Sequence, residues 1–302
     1  MPKHLFLEAN YVGTKSTHLN TLRNYNQPYV PNGPLPYPNF QQIEYRDPLG
    51  NGVYHGMDVN LERRFATGLI FRAAYTYSKT IDNTGEHLAT PASFGQNGRD
   101  FKSWRGPSDF DVPQRFVLSY VYELPFGQGK HMAASGPMAY VAGGWRVSGA
   151  LTFQDGRPFT PQAGSKSSAI DRGLQIALPY VVGPSFVPGN VDCYFYSSRN
   201  SACRALYPSA TDFLVIPSPA AYGSAGRNII RAPGTKIADF ALTKDTTFHE
   251  RYGLQFRWEL FNLANTTHLG YPSGDASSGS GAAITGLATD PRIMQFALRL
   301  KF

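Results

Sequence analysis

Few side chains in this 302-residue sequence are spaced for chemistry. The seven histidines are dispersed, and His18, His55, His87 and His268 have no cysteine or carboxylate cluster beside them. The chain also lacks the H-E-x-x-H and G-x-S-x-G motifs, a phosphate-binding loop and a dinucleotide-binding fingerprint. We therefore expect no enzyme, no bound cofactor and no metal site, and we expect these histidines to be loop or interface residues.

Two acidic residues, Asp109 and Asp111, lie close to Arg105 and Arg115 in the sequence. Carboxylates at this spacing could bind calcium, or they could form ion pairs at the base of a loop. Structural ion pairing at the base of a loop is the preferred interpretation.

The two cysteines, Cys193 and Cys203, lie in a long stretch without a strand pattern. In an oxidising compartment such a pair favours one disulfide, which would contribute about 2 to 3 kcal/mol by restricting the unfolded loop. The alternative is two free thiols in a cytosolic or truncated product. Thiol labelling with and without reduction separates the two.

A regular alternation of side chains marks the C-terminal end of the sequence, residues 294–302. Gln295, Ala297, Arg299 and Lys301 alternate there with a row of large apolar side chains: Met294, Phe296, Leu298, Leu300 and Phe302. Period-2 alternation predicts a strand that is apolar on one face and wet on the other. A terminal Phe after such a strand is typical of the closing strand of an outer-membrane β-barrel, and we expect the barrel-assembly machinery to insert it.

Similar alternation recurs along the chain and predicts about eight strands near the ~9 to 11 residues that a tilted membrane strand needs. They are residues 5–13, 53–63, 69–78, 115–124, 145–154, 237–243, 252–261 and 294–302. Apolar residues make up 42% of the chain, but no window approaches the ~18 to 20 apolar residues of a membrane helix. Any membrane crossing must therefore use paired strands.

Long and short connections alternate between these strands. Residues 14–52, 79–113, 155–236 and 262–291 are long, whereas 64–68 and 244–251 are short and 125–143 is intermediate. Bacterial barrels have long external loops and short periplasmic turns. The sequence thus predicts an all-β fold, an antiparallel transmembrane β-barrel of which about eight strands are present. We expect these strands to be part of a larger barrel, because a barrel of eight strands alone leaves no pore.

The two faces of the predicted strands differ in composition. We expect the lumen face to carry Asp58, Glu62, Arg72, Glu123, Arg146, Asp239, Arg257, Glu259 and Arg299. On the lipid face each Arg would cost about 2 to 4 kcal/mol at the midplane. These charges could line a substrate path, but pairing with one another or contact with a plug is preferred. An aromatic belt at the headgroup level is expected from Tyr75, Tyr77, Tyr120, Trp145 and Trp258, the alternative being ordinary core aromatics of a soluble β-protein.

The net charge of +7 comes from scattered Lys and Arg residues. Without a basic stripe that tracks phosphates, we expect no nucleic-acid partner, and the surface charge fits weak attraction to anionic outer-membrane lipid. The N-terminus has only three apolar residues before Glu8, short of a secretory signal. The expectation is therefore that residues 1–302 are the C-terminal part of a longer protein, or a truncated gene product.

Several short motifs carry a family resemblance over nearly the whole chain. They are Tyr11-Val12-Gly13-Thr14-Lys15, Leu61-Glu62-Arg63-Arg64-Phe65, Tyr75-Thr76-Tyr77-Ser78-Lys79, Arg105-Gly106-Pro107-Ser108-Asp109-Phe110-Asp111, Leu124-Pro125-Phe126-Gly127, Gly156-Arg157-Pro158-Phe159, Gly226-Arg227-Asn228, Phe261-Asn262-Leu263 and Asp290-Pro291-Arg292. Together they resemble the barrel of TonB-dependent receptors of the Oar-like type. Ala264 replaces an aromatic residue that tends to follow Phe261-Asn262-Leu263 in that family.

The resemblance implies a full barrel of about 22 strands with a plug inside it, energised through TonB. This sequence shows no plug and no TonB-binding segment, so TonB and a plug are expected partners only if an upstream region exists. We expect a receptor in the outer membrane of a Gram-negative bacterium that binds or takes up an unidentified solute. The alternatives are a structural or adhesive surface protein without transport, and a soluble secreted carbohydrate-binding β-domain.

Overall fold

The computed structural model describes most of the chain: residues 4–66, 68–84, 95–127, 129–130, 132, 135–164, 176–183, 187–212, 214–217, 221–248 and 252–302. At 65 and 66 only the backbone is described. His87 lies outside the described residues, as does residue 67 in the expected turn at 64–68.

Within these residues the chain forms thirteen strands and two short helices. The strands are β1 (Leu5–Asn24), β2 (Glu44–Ala66), β3 (Leu69–Asp82), β4 (Gly106–Pro107), β5 (Gln114–Glu123), β6 (Trp145–Gln154), β7 (Pro158–Phe159), β8 (Tyr180–Val181), β9 (Leu214–Val215), β10 (Ile230–Arg231), β11 (Thr235–Phe248), β12 (Tyr252–Phe261) and β13 (Ile293–Lys301). The helices are α1 (Pro137–Ala142) and α2 (Ser201–Leu206).

One antiparallel sheet dominates the fold, with its long strands in the order β1-β2-β3-β5-β6-β11-β12-β13. These are the eight strands that the alternation predicts, and β6 and β12 have the predicted bounds. The bounds of β1 and β2 were wrong, because the two strands stay paired as far as Asn24 opposite Glu44. Backbone hydrogen bonds need no side-chain alternation, so this mostly polar extension has no period-2 signal. The connection between them is 25–43 rather than 14–52.

Strand register keeps the two faces separate across the sheet. Paired residues share a face, so one row can be followed from strand to strand. From β3 to β13 this row consists of Leu69, Tyr122, Val147, Leu242, Trp258 and Phe296. The row beside it, from β5 to β13, consists of Glu123, Arg146, Thr243, Arg257 and Ala297. We call these the apolar face and the polar face.

The strand directions send the long connections to one end of the sheet. Residues 25–43, 83–113, 155–234 and 262–292 leave from this loop end, and 67–68, 124–144 and 249–251 leave from the opposite turn end. The three longest connections, 83–113, 155–234 and 262–292, all lie at the loop end as predicted, whereas 124–144 at the turn end is slightly longer than 25–43 at the loop end. The C-terminus of β13 lies at the turn end.

The apolar face is exposed rather than packed. Phe296 and Leu298 are 66% and 70% exposed, and the other sheets among the described residues are the two-residue pairs β7–β10 and β8–β9. A soluble sandwich would bury this face against a second sheet. The exposed apolar face therefore favours contact with hydrocarbon over the alternative of a soluble β-domain. Among the described residues, no helix has the length and apolarity to span a membrane.

The sheet is open at both edges. Within the described residues β1 pairs only with β2, and β13 pairs only with β12. The first and last strands of the sheet therefore leave unpaired edges.

The main clusters of buried apolar side chains lie in the long connections at the loop end. One joins Phe195, Leu214, Ile230, Ala276 and Ala282 from two different connections, and a second joins Trp104, Ile176, Leu178 and Ala225. The loops thus pack on one another as a compact layer, which we call the loop cap.

Candidate functional site

The polar face carries every charged residue that the sequence assigns to the lumen. By strand register these residues share one face: Asp58, Glu62, Arg72, Glu123, Arg146, Asp239, Arg257, Glu259 and Arg299. Whether they line a transport path stays a prediction.

Charges of opposite sign on this face lie close together. Arg257 Nη2 lies 2.5 Å from Glu259 Oε1, and Arg146 Nη2 lies 3.7 Å from Asp245 Oδ2. Lys130, in the connection at the turn end, lies 3.1 Å from Glu123 Oε2. These partly exposed pairs contribute little stability each, but they make the face suited to a wet interior.

An open trough of about 350 Å³ lies over the middle strands. Its lining includes Arg72, Asp239 and Glu259, and the Asn262 backbone N–H donates to Asp239 Oδ1 at 2.9 Å. The trough offers charges of both signs to a polar solute or to another polypeptide segment.

The expected aromatic belt residues, Tyr75, Tyr77, Tyr120, Trp145 and Trp258, all lie on the apolar face. Only Trp145 is the terminal residue of its strand; Tyr75, Tyr120 and Trp258 lie within theirs. Trp258 stacks on Phe296 with the ring centres 6.1 Å apart. The ring of Tyr120 covers Gly149 on the neighbouring strand, where an added Cβ would lie 2.8 Å from its hydroxyl oxygen.

Arg227 joins the loop cap to the sheet. Its buried guanidinium pairs with Asp82, the last residue of β3, and its Nη2 lies 3.0 Å from Asp109 Oδ2. The Asn228 side-chain amide donates to the other oxygen of Asp109 at 2.7 Å. The loop 155–234 is thereby fixed to the loop 83–113 and to a strand end.

Asp111 forms a second junction and is fully buried. Its Oδ1 accepts from the Thr80 backbone N–H at 2.6 Å, and its Oδ2 pairs with Arg231 and lies 3.4 Å from Lys79 Nζ. The structure therefore places both acidic residues in ion pairs, with partners from β3, β10 and the loop before β10. The sequence neighbour Arg105 instead donates to Asn51 Oδ1 at 2.5 Å.

Sequence reasoning missed Arg227 and Arg231 as partners of these carboxylates. The only signal was the motif Gly226-Arg227-Asn228, which has no spacing relation to Asp109 or Asp111.

Cys193 and Cys203 form a disulfide within the loop cap, with Cα atoms 5.1 Å apart. Asn200 caps α2 between them by accepting from the Ala202 and Cys203 N–H groups, and its amide donates to Gly281 O at 2.8 Å. Burial raises the pKa of the nearby Tyr194 phenol, which keeps that group neutral.

A small cleft opens at the loop end between residues 23–37 and Arg99. It holds about 130 Å³ and is lined by Arg23, Asn24, Tyr25, Tyr29, Pro36, Tyr37 and Arg99. We call it the tyrosine cleft. Arg99 Cζ lies 4.3 Å from the Tyr29 ring centre, and the rings of Tyr25 and Tyr37 stack with centres 6.1 Å apart.

Two of the described histidines, His55 and His268, have separate hydrogen-bond partners. Tyr11 Oη lies 2.6 Å from His55 Nδ1, and the buried His268 contacts Lys236 O and Thr289 Oγ1, each at 2.9 Å. No group of three metal-ligating side chains is found in the part of the chain that the structure describes.

With this geometry in view, comparison with known families is decisive: residues 1–295 match the model of the outer membrane beta barrel domain. The chain belongs to this family. The barrel domain therefore resides in the outer membrane, with its apolar face toward lipid, its loop cap external and its turn end periplasmic.

The barrel domain is also similar to parts of solved transporters. The outer membrane transporter YddB from Escherichia coli shares 11% identity with a TM-score of 0.47, over 100% of this chain and 31% of that one. FpvA of P. aeruginosa, solved with heterologous pyoverdines, shares 11% identity with a TM-score of 0.44, over 99% of this chain and 25% of that one. The barrel domain thus spans less than a third of either chain's length. No curated protein matches it.

Proposed function

We propose that this domain is the C-terminal part of the barrel of a TonB-dependent receptor of the Oar-like type, which binds or takes up a solute without catalysis. The observation that carries the proposal is the pair of free strand edges at β1 and β13. In hydrocarbon an unpaired edge leaves backbone groups unsatisfied, so further strands must complete the sheet.

A wider barrel gives the polar face its role. Eight strands close around an interior that side chains fill, whereas a larger barrel encloses space for a plug or a solute. The trough beside Arg72, Asp239 and Glu259 would face that interior, where its mixed charges suit contact with a plug. TonB would act through a segment outside the barrel, and the barrel-assembly machinery would recognise β13.

The test uses protein extracted from the native outer membrane. Intact mass measures whether the polypeptide extends beyond these residues, and capture by the periplasmic domain of TonB measures energy coupling. A longer chain that binds TonB supports the receptor. A chain that folds in the outer membrane without TonB capture contradicts it and favours a structural or adhesive surface protein, which the packed loop cap would serve as its exposed surface.

A further inference from the structure

We propose that the tyrosine cleft is a binding subsite for a carboxylated sugar. This inference rests on the proposed receptor function only in placing the cleft on the cell exterior. Three tyrosines line the cleft, and Tyr25, Tyr29 and Tyr37 are 46%, 71% and 45% exposed. Its volume of about 130 Å³ admits one six-membered ring.

The cleft is held in place before any ligand arrives. Asn26 and Gln27 are fully buried: Asn26 Nδ2 donates to Phe40 O at 2.7 Å, and Gln27 Oε1 accepts from the Gly98 N–H at 2.8 Å. The Asn26 amide bridges two parts of the loop 25–43, and the Gln27 amide fixes this loop to the segment that carries Arg99. A site ordered in advance loses less entropy on binding.

The charge in the cleft identifies the ligand class. Arg23 is neutralised by Asp47, at 2.8 Å. Arg99 donates to Pro28 O and Gln27 O, and among the described residues it forms no ion pair with a carboxylate. A ligand carboxylate would complete its pairing.

The remaining groups favour a sugar ring over an aromatic one. The phenol hydroxyls of Tyr25, Tyr29 and Tyr37 make no hydrogen bond within the described part of the protein, so they are available to ligand hydroxyls. Apolar phenol rings that carry hydroxyls match the mixture of C–H bonds and equatorial hydroxyls on a pyranose.

The test measures binding of digalacturonate, galactobiose and benzoate to the full chain in detergent by calorimetry. Digalacturonate should bind, and Arg99→Gln should weaken it about tenfold while Arg199→Gln, an exposed cap arginine outside the cleft, leaves it unchanged. Tyr29→Ala should abolish binding, and Phe110→Ala, an exposed ring outside the cleft, should not.

A parallel arm with lipopolysaccharide separates a free solute from an envelope glycan, and binding of either that depends on Arg99 supports the site. Preference for benzoate, equal weakening by Arg199→Gln, or no binding of any carboxylated glycan would overturn it. None of these readouts requires TonB or transport.

The short helix α1 lies at the turn end of the sheet. We infer that it lies in the headgroup region of the periplasmic leaflet, bound to glycerophospholipid. Lys244 is paired with Trp145 and with Phe256, so it lies on the apolar face. Its Nζ donates to the carbonyls of Tyr140, Val141 and Gly143 at 2.9, 2.7 and 2.9 Å. The helix is therefore held against the lipid side of the sheet.

The contacts suit a membrane interface. Carbonyls at a helix C-terminus lack partners within the helix, and here a lysine and the Trp145 indole N–H, 3.0 Å from Val141 O, supply them. Lys244 Nζ also lies 5.0 Å from the Trp145 ring centre. Met138, Tyr140 and Val141 are 63%, 63% and 69% exposed, continuous with the apolar face, as an interfacial helix requires.

A nitroxide label on an introduced cysteine tests this placement. The label attaches selectively, because the described native cysteines are already paired in the disulfide. In phosphatidylethanolamine and phosphatidylglycerol vesicles, a label on Val141→Cys should be about threefold less accessible to a nickel chelate than one on Ser135→Cys, and more accessible to oxygen. Adding Lys244→Met should move the Val141 label toward water. Equal nickel accessibility at the two positions would overturn the inference.

Discussion

Arg227 and Asp82 form a buried ion pair that ties the C-terminal part of the longest connection to the end of a membrane strand. Arg227 also contacts the ring of Trp104 and pairs with Asp109. Through this one side chain, two external loops and the barrel wall meet at a charged junction. Breaking it therefore tests whether the loop cap is a fixed part of the barrel domain.

Arg227→Met should open the loop cap. Removing one partner of a buried ion pair leaves the other charge uncompensated, at a cost of about 3 to 5 kcal/mol. Hydrogen exchange over residues 187–212 should accelerate while β5 and β6 remain protected. Arg199→Met, at an exposed position in the same loop, is the control. Unchanged exchange in Arg227→Met would show that the hydrophobic clusters hold the cap without the junction.

Replacing both Cys193 and Cys203 by Ser should destabilise the cap locally. The disulfide closes a loop with a sequence separation of 10, which restricts the unfolded loop by about 2 to 3 kcal/mol. Limited proteolysis in vesicles should cut residues 190–206 faster, and dithiothreitol should have the same effect on the unaltered protein. Maleimide labelling of the unreduced protein would contradict the pairing.

A matched pair of substitutions on β6 tests which face meets lipid. Leu151 lies opposite Leu118 and Ala238, and its neighbour Ala150 lies opposite Ser119 and Asp239. Leu151→Arg should therefore lower the free energy of unfolding in vesicles by about 2 to 4 kcal/mol, whereas Ala150→Arg gains an acidic neighbour and changes it little. Urea titration followed by tryptophan fluorescence measures both. An equal loss of unfolding free energy in Leu151→Arg and Ala150→Arg would mean that both faces are equally hydrated.

Alternation in the sequence was sufficient to locate the sheet, because it records which side chains meet lipid. It could not define the loop-end parts of β1 and β2, residues 14–24 and 44–52, where apolar and polar side chains do not alternate regularly. It also could not match Asp111 with Arg231, since that contact depends on how two long loops pack. The contact between Tyr29 and Arg99 in the cleft could not be predicted for the same reason. It depends on how the chain packs in three dimensions, and no periodic sequence pattern records it.

The unpaired edges of β1 and β13 lead to a prediction for hydrogen exchange. Hydrogen exchange of the 302-residue chain in detergent micelles should be fast at alternate amides of β1 and β13, because each strand has a partner on one side only. The matched internal control is β5, whose amides are paired with both β3 and β6. In protein extracted from the native outer membrane, the edge amides should be as protected as those of β5, because additional strands would pair with them. Full protection of both edges in the isolated chain would mean that β1 closes on β13, and the wider barrel would then have to be abandoned.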